Sequence, residues 1–108
     1  MTFKLYWTTT GGGSAETIDF DLAGVAFAND NPMDTTVGTA ANVTDVWIAD
    51  NDLHVTAASS AITISGTPVA GELVVFQLAR DVASDDLGVD AEVLGVLIEY
   101  STDASNSS

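Results

Sequence analysis

The sequence contains no cysteine, only two basic residues and a single histidine among its 108 residues. Without cysteine, a disulfide framework, thiol catalysis and sulfur-ligated zinc are all excluded. Lys4 and Arg80 are too few to neutralise phosphates, which argues against nucleic-acid binding and against a basic membrane-surface helix. No apolar run reaches the roughly 18 residues that a membrane-spanning helix needs, and the first residues do not follow a signal-peptide pattern.

Acidic residues dominate the charge of the chain. Sixteen of them give a formal net charge of −14, while hydrophobic residues make up 46% of the sequence, well above the content of highly charged disordered chains. We therefore expect an apolar core with carboxylates spread over the outer surface, where they repel one another least. The length suits one such core. The prediction is a single domain at residues 1–101, followed by a flexible polar tail at 102–108.

Apolar and polar residues alternate along most of the chain, a pattern typical of β-strands with one buried face. Turns rich in Gly, Pro, Asn and Asp separate these segments, one of them at Asp50, Asn51 and Asp52. The predicted strands before residue 70 are 3–8, 17–22, 24–28, 43–49, 53–57 and 62–65. Together with two later strands they predict an all-β protein, an antiparallel β-sandwich of about seven or eight short strands. A jelly roll and an immunoglobulin-like sandwich both fit, and we favour the jelly roll.

The last two predicted strands, residues 72–79 and 92–100, are apolar on both faces. Strands of this kind are normally covered on both sides, yet the sequence predicts no helices to cover them. Either the chain's own loops shield them or another subunit does, and the rule that large apolar patches mark interaction sites favours another subunit. The predicted interface residues are Val74, Phe76, Leu78, Arg80, Leu94, Val96 and Ile98.

No constellation of catalytic residues stands out, and we expect that the protein is not an enzyme. His54 lies on the polar side of an alternating strand, where an exposed or hydrogen-bonded surface position is usual. The sequence contains no Gly-x-Ser-x-Gly elbow, no phosphate-binding glycine loop with its lysine and no His-Glu-x-x-His motif. We therefore predict neither catalytic residues nor an organic cofactor.

Aspartates cluster in predicted loops, and calcium takes about six to eight oxygen ligands from such loops. Turn-forming aspartates are nevertheless common in an acidic chain that binds no metal, and we favour that interpretation. Arg80 stands where an apolar strand meets the last of these loops, and its planar guanidinium fits a carboxylate through two hydrogen bonds. We expect it to lock this loop or to bridge to another subunit. The weak candidates for calcium ligands are Asp81, Asp85, Asp86 and Asp90.

Several stretches spread over nearly the whole chain occur together in one order: 3–8 (FKLYWT), 37–40 (VGTA), 52–55 (DLHV), 66–68 (Gly-Thr-Pro), 71–77 (GELVVFQ), 79–81 (ARD) and 90–100 (DAEVLGVLIEY). In these stretches the chain resembles small β-sandwich virion proteins of marine tailed phages, of the head-decoration, head-fibre or tail-appendage type. The resemblance implies a structural role and carries over no catalytic residue. Such proteins usually have residues before the first strand, whereas Met1 stands almost inside it; a minimal module and a missing anchoring segment would both account for this.

The sequence thus leads us to expect a capsid decoration or cement subunit on the virion surface. We expect it to form a homotrimer and to contact a phage shell or tail protein. The alternative is a receptor- or glycan-binding module of a tail fibre, in which Tyr6 or Trp47 would contact a host glycan beside loop carboxylates. A secreted adhesin module of a salt-adapted microbe is a third hypothesis.

Overall fold

Seven β-strands in two sheets make up the regular structure of the residues described. The computed structural model describes residues 1–66 and 68–100, so the predicted tail at 102–108 lies outside the described residues. The strands are β1 (Thr2–Thr8), β2 (Thr17–Phe27), β3 (Ala41–Val46), β4 (His54–Val55), β5 (Ile64–Ser65), β6 (Leu73–Arg80) and β7 (Glu92–Glu99). The prediction of an all-β sandwich is confirmed, whereas the jelly-roll topology, which has eight strands, stays a prediction.

Each sheet is built around one central strand. In the first sheet β1 lies between β4 and β7, and both pairs are antiparallel. In the second sheet β2 pairs with β6 along one side, and with β3 and then β5 along the other. β5 runs parallel to β2, so this sheet is mixed, unlike the predicted antiparallel arrangement. Within the described chain, β6 and β7 each pair with one strand only and are edge strands.

The hydrophobic core lies between the two sheets. Phe3, Leu5 and Trp7 occupy alternate positions on β1 and are fully buried. Burying an apolar side chain of this size contributes roughly 1.5–3 kcal/mol, so the alternation of β1 fixes which face turns inward. The buried cluster comprises Phe3, Leu5, Trp7, Ile18, Phe20, Leu22, Ala41, Val43, Ile62 and Leu87.

β2 is one continuous strand, whereas the sequence predicted two strands here, at 17–22 and 24–28. It runs for eleven residues, and its second half is buried on both faces. Gly24 does not interrupt it, because this residue pairs with Ile64 of β5 and with Phe76 of β6. The side chains of these two partners fill the space that a Cβ at position 24 would need. Burial on both faces removes the alternation, which is why the pattern suggested two elements.

The segment around β4 faces the opposite way from the prediction. His54 is 1% exposed, while Leu53 and Val55 are 59% and 45% exposed. The His54 ring stacks on Trp7 with centroids 4.2 Å apart. Its Nε2 accepts a hydrogen bond from the Ile48 N–H at 3.0 Å, and its Nδ1 donates to the Asp52 carbonyl at 3.0 Å, which requires the neutral ring. The expected surface position of His54 is therefore wrong, because its hydrogen bonds are made inside the fold.

The loops follow the turn chemistry of the sequence at two sites. Asn51 adopts the left-handed conformation expected of its turn, with φ 63°. Gly38 lies close against the second sheet, and its N–H donates to the Gly24 carbonyl at 2.9 Å. A Cβ added to Gly38 would lie 2.2 Å from the backbone oxygen of Thr63.

Gly38→Ala should therefore lower the free energy of unfolding by about 1–3 kcal/mol, because backbone rather than a flexible side chain must move to admit the methyl group. Urea denaturation followed by tryptophan fluorescence measures the change. Gly88→Ala is the matched control, since nothing lies within 4 Å of its added Cβ, and it should change stability by less than about 0.5 kcal/mol. Equal losses in both variants would contradict the close approach at Gly38.

Candidate assembly surface

The two edge strands β6 and β7 expose apolar side chains along their length. None of the described loops covers these side chains, although the sequence analysis left loop cover open as one alternative. The exposed fractions range from 39% to 58%. We call this set the assembly surface, and its members are Leu73, Val75, Val93, Leu94, Val96 and Leu97.

β6 alternates regularly between the core and solvent. Val74, Phe76 and Leu78 are half-buried, and the last two pack against the buried cluster. These predicted interface residues thus face the chain's own core. The large apolar residues exposed on the strand are Leu73 and Val75. The sequence did not predict them as interface residues, because a strand that is apolar on both faces does not show which face lies inside.

β7 is less regular than β6. Its pairing places Val96 opposite Leu5 and Ile98 opposite Phe3, and Ile98 packs against the core. The register shifts where Tyr6 pairs with Gly95 and Trp7 with Val93, so Leu94 is the extra residue of a β-bulge. Of the predicted interface residues on this strand, Leu94 and Val96 are exposed and Ile98 is half-buried.

Arg80 locks the loop that joins β6 to β7, the first of its two predicted roles. Its Nε and Nη2 donate to the two carboxylate oxygens of Asp85 at 2.8 and 3.2 Å. Nη1 donates to the Val89 carbonyl at 2.7 Å, and Nη2 also donates to the Leu87 carbonyl. Because the Asp85 side chain is only 2% exposed, this ion pair is shielded from solvent and fixes the path of the loop.

Two of the other aspartates of this loop also have side-chain partners within the chain. Asp86 accepts hydrogen bonds from the backbone and hydroxyl of Thr17, and Asp81 accepts one from the Ser84 hydroxyl. Over residues 1–66 and 68–100, no three metal-ligating side chains come together in a group that could hold an ion. The structure therefore does not gather the four candidate calcium ligands, Asp81, Asp85, Asp86 and Asp90, into a site.

The two aromatic residues predicted to contact a glycan, Tyr6 and Trp47, and the neighbouring Trp7 lie in different environments. Trp7 is fully buried, and Tyr6, its neighbour on β1, points to the opposite face of the first sheet. Trp47 is half-buried: its indole lies against Gly12, and its Nε1 donates to the Asp50 carboxylate at 3.2 Å. Trp47 thus combines a partly accessible ring with a loop carboxylate.

In the part of the chain that the structure covers, no helix is long and apolar enough to cross a membrane. None of three comparisons with known proteins finds a match: no family model fits the sequence, and no curated protein and no solved structure is similar to the chain. What bears on function is therefore the assembly surface and the acidic charge.

The Arg80–Asp85 pair predicts a pH-dependent contribution to stability. Hydrogen bonding to Arg80 holds the pKa of Asp85 below its usual 3.8, although burial opposes this. Because the folded-state pKa is the lower one, the stabilisation is complete above the unfolded value and is lost as the pH falls through the folded value. Asp85→Asn should cost about 1–3 kcal/mol at neutral pH, and the difference from wild type should shrink towards pH 3.

Urea denaturation between about pH 3 and pH 7 measures this difference. Asp34→Asn removes the same charge at an exposed loop position and serves as the control for net-charge effects, which should not depend on the Arg80 contact. A gap between wild type and Asp85→Asn that stays constant over the whole range would contradict the assigned role of the ion pair.

Proposed function

We propose that the protein is a non-enzymatic structural subunit of a phage particle, a decoration or cement protein that assembles on the virion surface. The observation that carries the proposal is the assembly surface, with apolar side chains left open on two edge strands. Exposed apolar residues on unpaired strand edges are a hazard in a free monomer and are normal at contacts between polypeptides.

Burial of the assembly surface supplies the free energy of association. A fully exposed side chain of this size gains about 1.5–3 kcal/mol on complete burial. With roughly half of each side chain already covered, six of them contribute several kcal/mol together, before the entropic cost of association is subtracted. This amount supports association at the high local concentration found on a particle, where many copies meet the same partner.

The charge of the chain suits an external position. A formal net charge of −14 keeps particles apart and gives no affinity for the packaged genome, whose phosphates carry the same sign. The same charge opposes contact between copies, so the apolar surface must overcome repulsion during assembly. The resemblance of the sequence motifs to virion proteins of marine phages points to the same role.

The alternative function is a glycan- or receptor-binding module of a tail fibre. The observation that favours it is Trp47, whose half-buried ring lies next to Asp50. A sugar can stack on an aromatic ring while a neighbouring carboxylate accepts its hydroxyl hydrogen bonds. Gly12 already occupies part of this ring, which leaves less of it for a ligand.

Self-association should strengthen as salt rises, because screening reduces the repulsion between acidic copies while apolar burial persists. Sedimentation velocity at about 0.05 M and about 1 M NaCl tests this, with a larger sedimentation coefficient expected at high salt. Leu73→Glu, on β6, should abolish the shift. Ile48→Glu, the same change at a residue that is 71% exposed outside the assembly surface, should preserve it. Sedimentation as a monomer in both salts would contradict the proposal.

The position of the chain on the particle distinguishes the two functions. An antibody against the chain should label the shell of intact tailed-phage particles from its source, seen by electron microscopy. Label confined to the tips of tail fibres would support the glycan-binding alternative instead. Purified particles that contain none of the chain by mass spectrometry would overturn both.

A further inference from the structure

β6 has a long and regular free edge without charged residues before its last position. Its pairing with β2 is unbroken over eight residue pairs, from Leu73 to Arg80. No charged residue and no proline occurs between Leu73 and Ala79. A strand edge of this kind presents a row of free backbone N–H and C=O groups, and natural proteins either protect it or pair it with another strand.

The other edge strands among the described residues are short or protected. β4 and β5 have two residues each. β3 carries Asp45 and other polar side chains. β7 has the bulge at Leu94 and a glutamate at each end, Glu92 and Glu99. Bulges and charges are devices that discourage edge-to-edge pairing, and β6 has neither within its apolar stretch.

We propose that β6 pairs antiparallel with β6 of a second copy of this chain, about a twofold axis at Phe76. The second sheet then continues from one subunit into the next. This inference rests on the proposed function and names the contact through which two copies meet. The backbone edge supplies the hydrogen bonds, and the exposed Leu73 and Val75 are covered by the neighbouring strand.

The alternation of β6 restricts the register of such a pair. Directly opposite residues of an antiparallel pair point to the same face of the sheet. The inner faces of both copies therefore lie on one side only if even-numbered residues lie opposite even-numbered ones. With Phe76 on the axis, Val74 lies opposite Leu78 of the second copy on the inner face. Val75 lies opposite Gln77 of the second copy on the outer face.

Charge selects this register over its neighbours. If the pairing centred on Phe76 continues one residue beyond Leu73, Glu72 lies opposite Arg80 of the second copy. The twofold axis produces the same contact a second time. Arg80 makes four hydrogen bonds within its own chain and has five N–H donors, so one donor remains for this carboxylate. A register centred on Val75 or on Gln77 separates the two charges and brings Arg80 opposite an apolar residue.

The pairing makes a dimer the smallest assembly, in place of the homotrimer expected from the sequence. A twofold contact is self-complementary and uses the same patch on both subunits. It leaves β7 accessible, so the exposed side chains of that strand remain for a different protein of the particle.

Engineered cysteines test the register, because the chain has no cysteine of its own to confuse the result. Val75→Cys and Gln77→Cys change two exposed positions on the outer face of β6. The two variants are purified separately, mixed at high salt and oxidised mildly, and disulfides are read on a non-reducing gel. We expect a disulfide in the mixture and none in either variant alone, since opposite residues lie within reach of a disulfide.

A disulfide formed by Val75→Cys alone or by Gln77→Cys alone would overturn the register centred on Phe76. Absence of any disulfide, in a protein that still sediments as an oligomer, would overturn the β6 contact and leave the proposed function standing. A trimer of the wild-type protein would overturn the twofold pairing with the same consequence. A monomer at every concentration would overturn both proposals.

A matched pair of charge variants tests the same contact without cysteine. Val75→Glu should weaken dimerisation by at least about tenfold, measured as the dissociation constant in sedimentation equilibrium. Val55→Glu makes the same substitution in β4 at a residue of similar exposure, 45% against 40%, and should leave the constant unchanged. An equal effect of the two variants would show that net charge rather than the β6 edge controls association.

Discussion

A two-layer sandwich with one central strand in each layer gives only those central strands a neighbour on both sides. β1 and β2 have neighbours on both sides and supply most of the buried cluster. β6 and β7, whose sequences are apolar on both faces, each have one neighbour and keep side chains exposed. No described loop closes over them, and the proposed function depends on these open apolar side chains.

The loop between the two edges holds them in a fixed relation. Arg80 ties the end of β6 to Asp85 and to the carbonyls of Leu87 and Val89, and Asp86 ties the same loop to the start of β2. A surface held in place before binding loses less conformational entropy on association. Arg80 thus orders, within its own subunit, the loop that joins β6 to β7.

The period of the sequence predicted the fold class and most strands, because alternation follows directly from the pleat. It did not predict which side chains point to the core where the two faces of a strand are similarly apolar. On β6 it selected Val74, Phe76 and Leu78 as interface residues, but these side chains are half-buried on the inner face. At His54 it predicted the wrong side, because the ring stacks on Trp7 and finds two backbone hydrogen-bond partners inside the fold. Which face of a strand points inward depends on contacts between residues far apart in the chain, and the local sequence pattern does not contain these contacts.

The two edges differ in the kind of contact that each can make. β6 offers regular backbone groups, which suit pairing with an identical strand. On β7 the bulge at Leu94 interrupts the backbone row, while Glu92 and Glu99 repel another acidic copy. Leu94 and Leu97 nevertheless remain exposed, which suits side-chain contact with a partner of different sequence. In the proposed decoration protein, β6 would serve the contact between copies and β7 the contact with the shell.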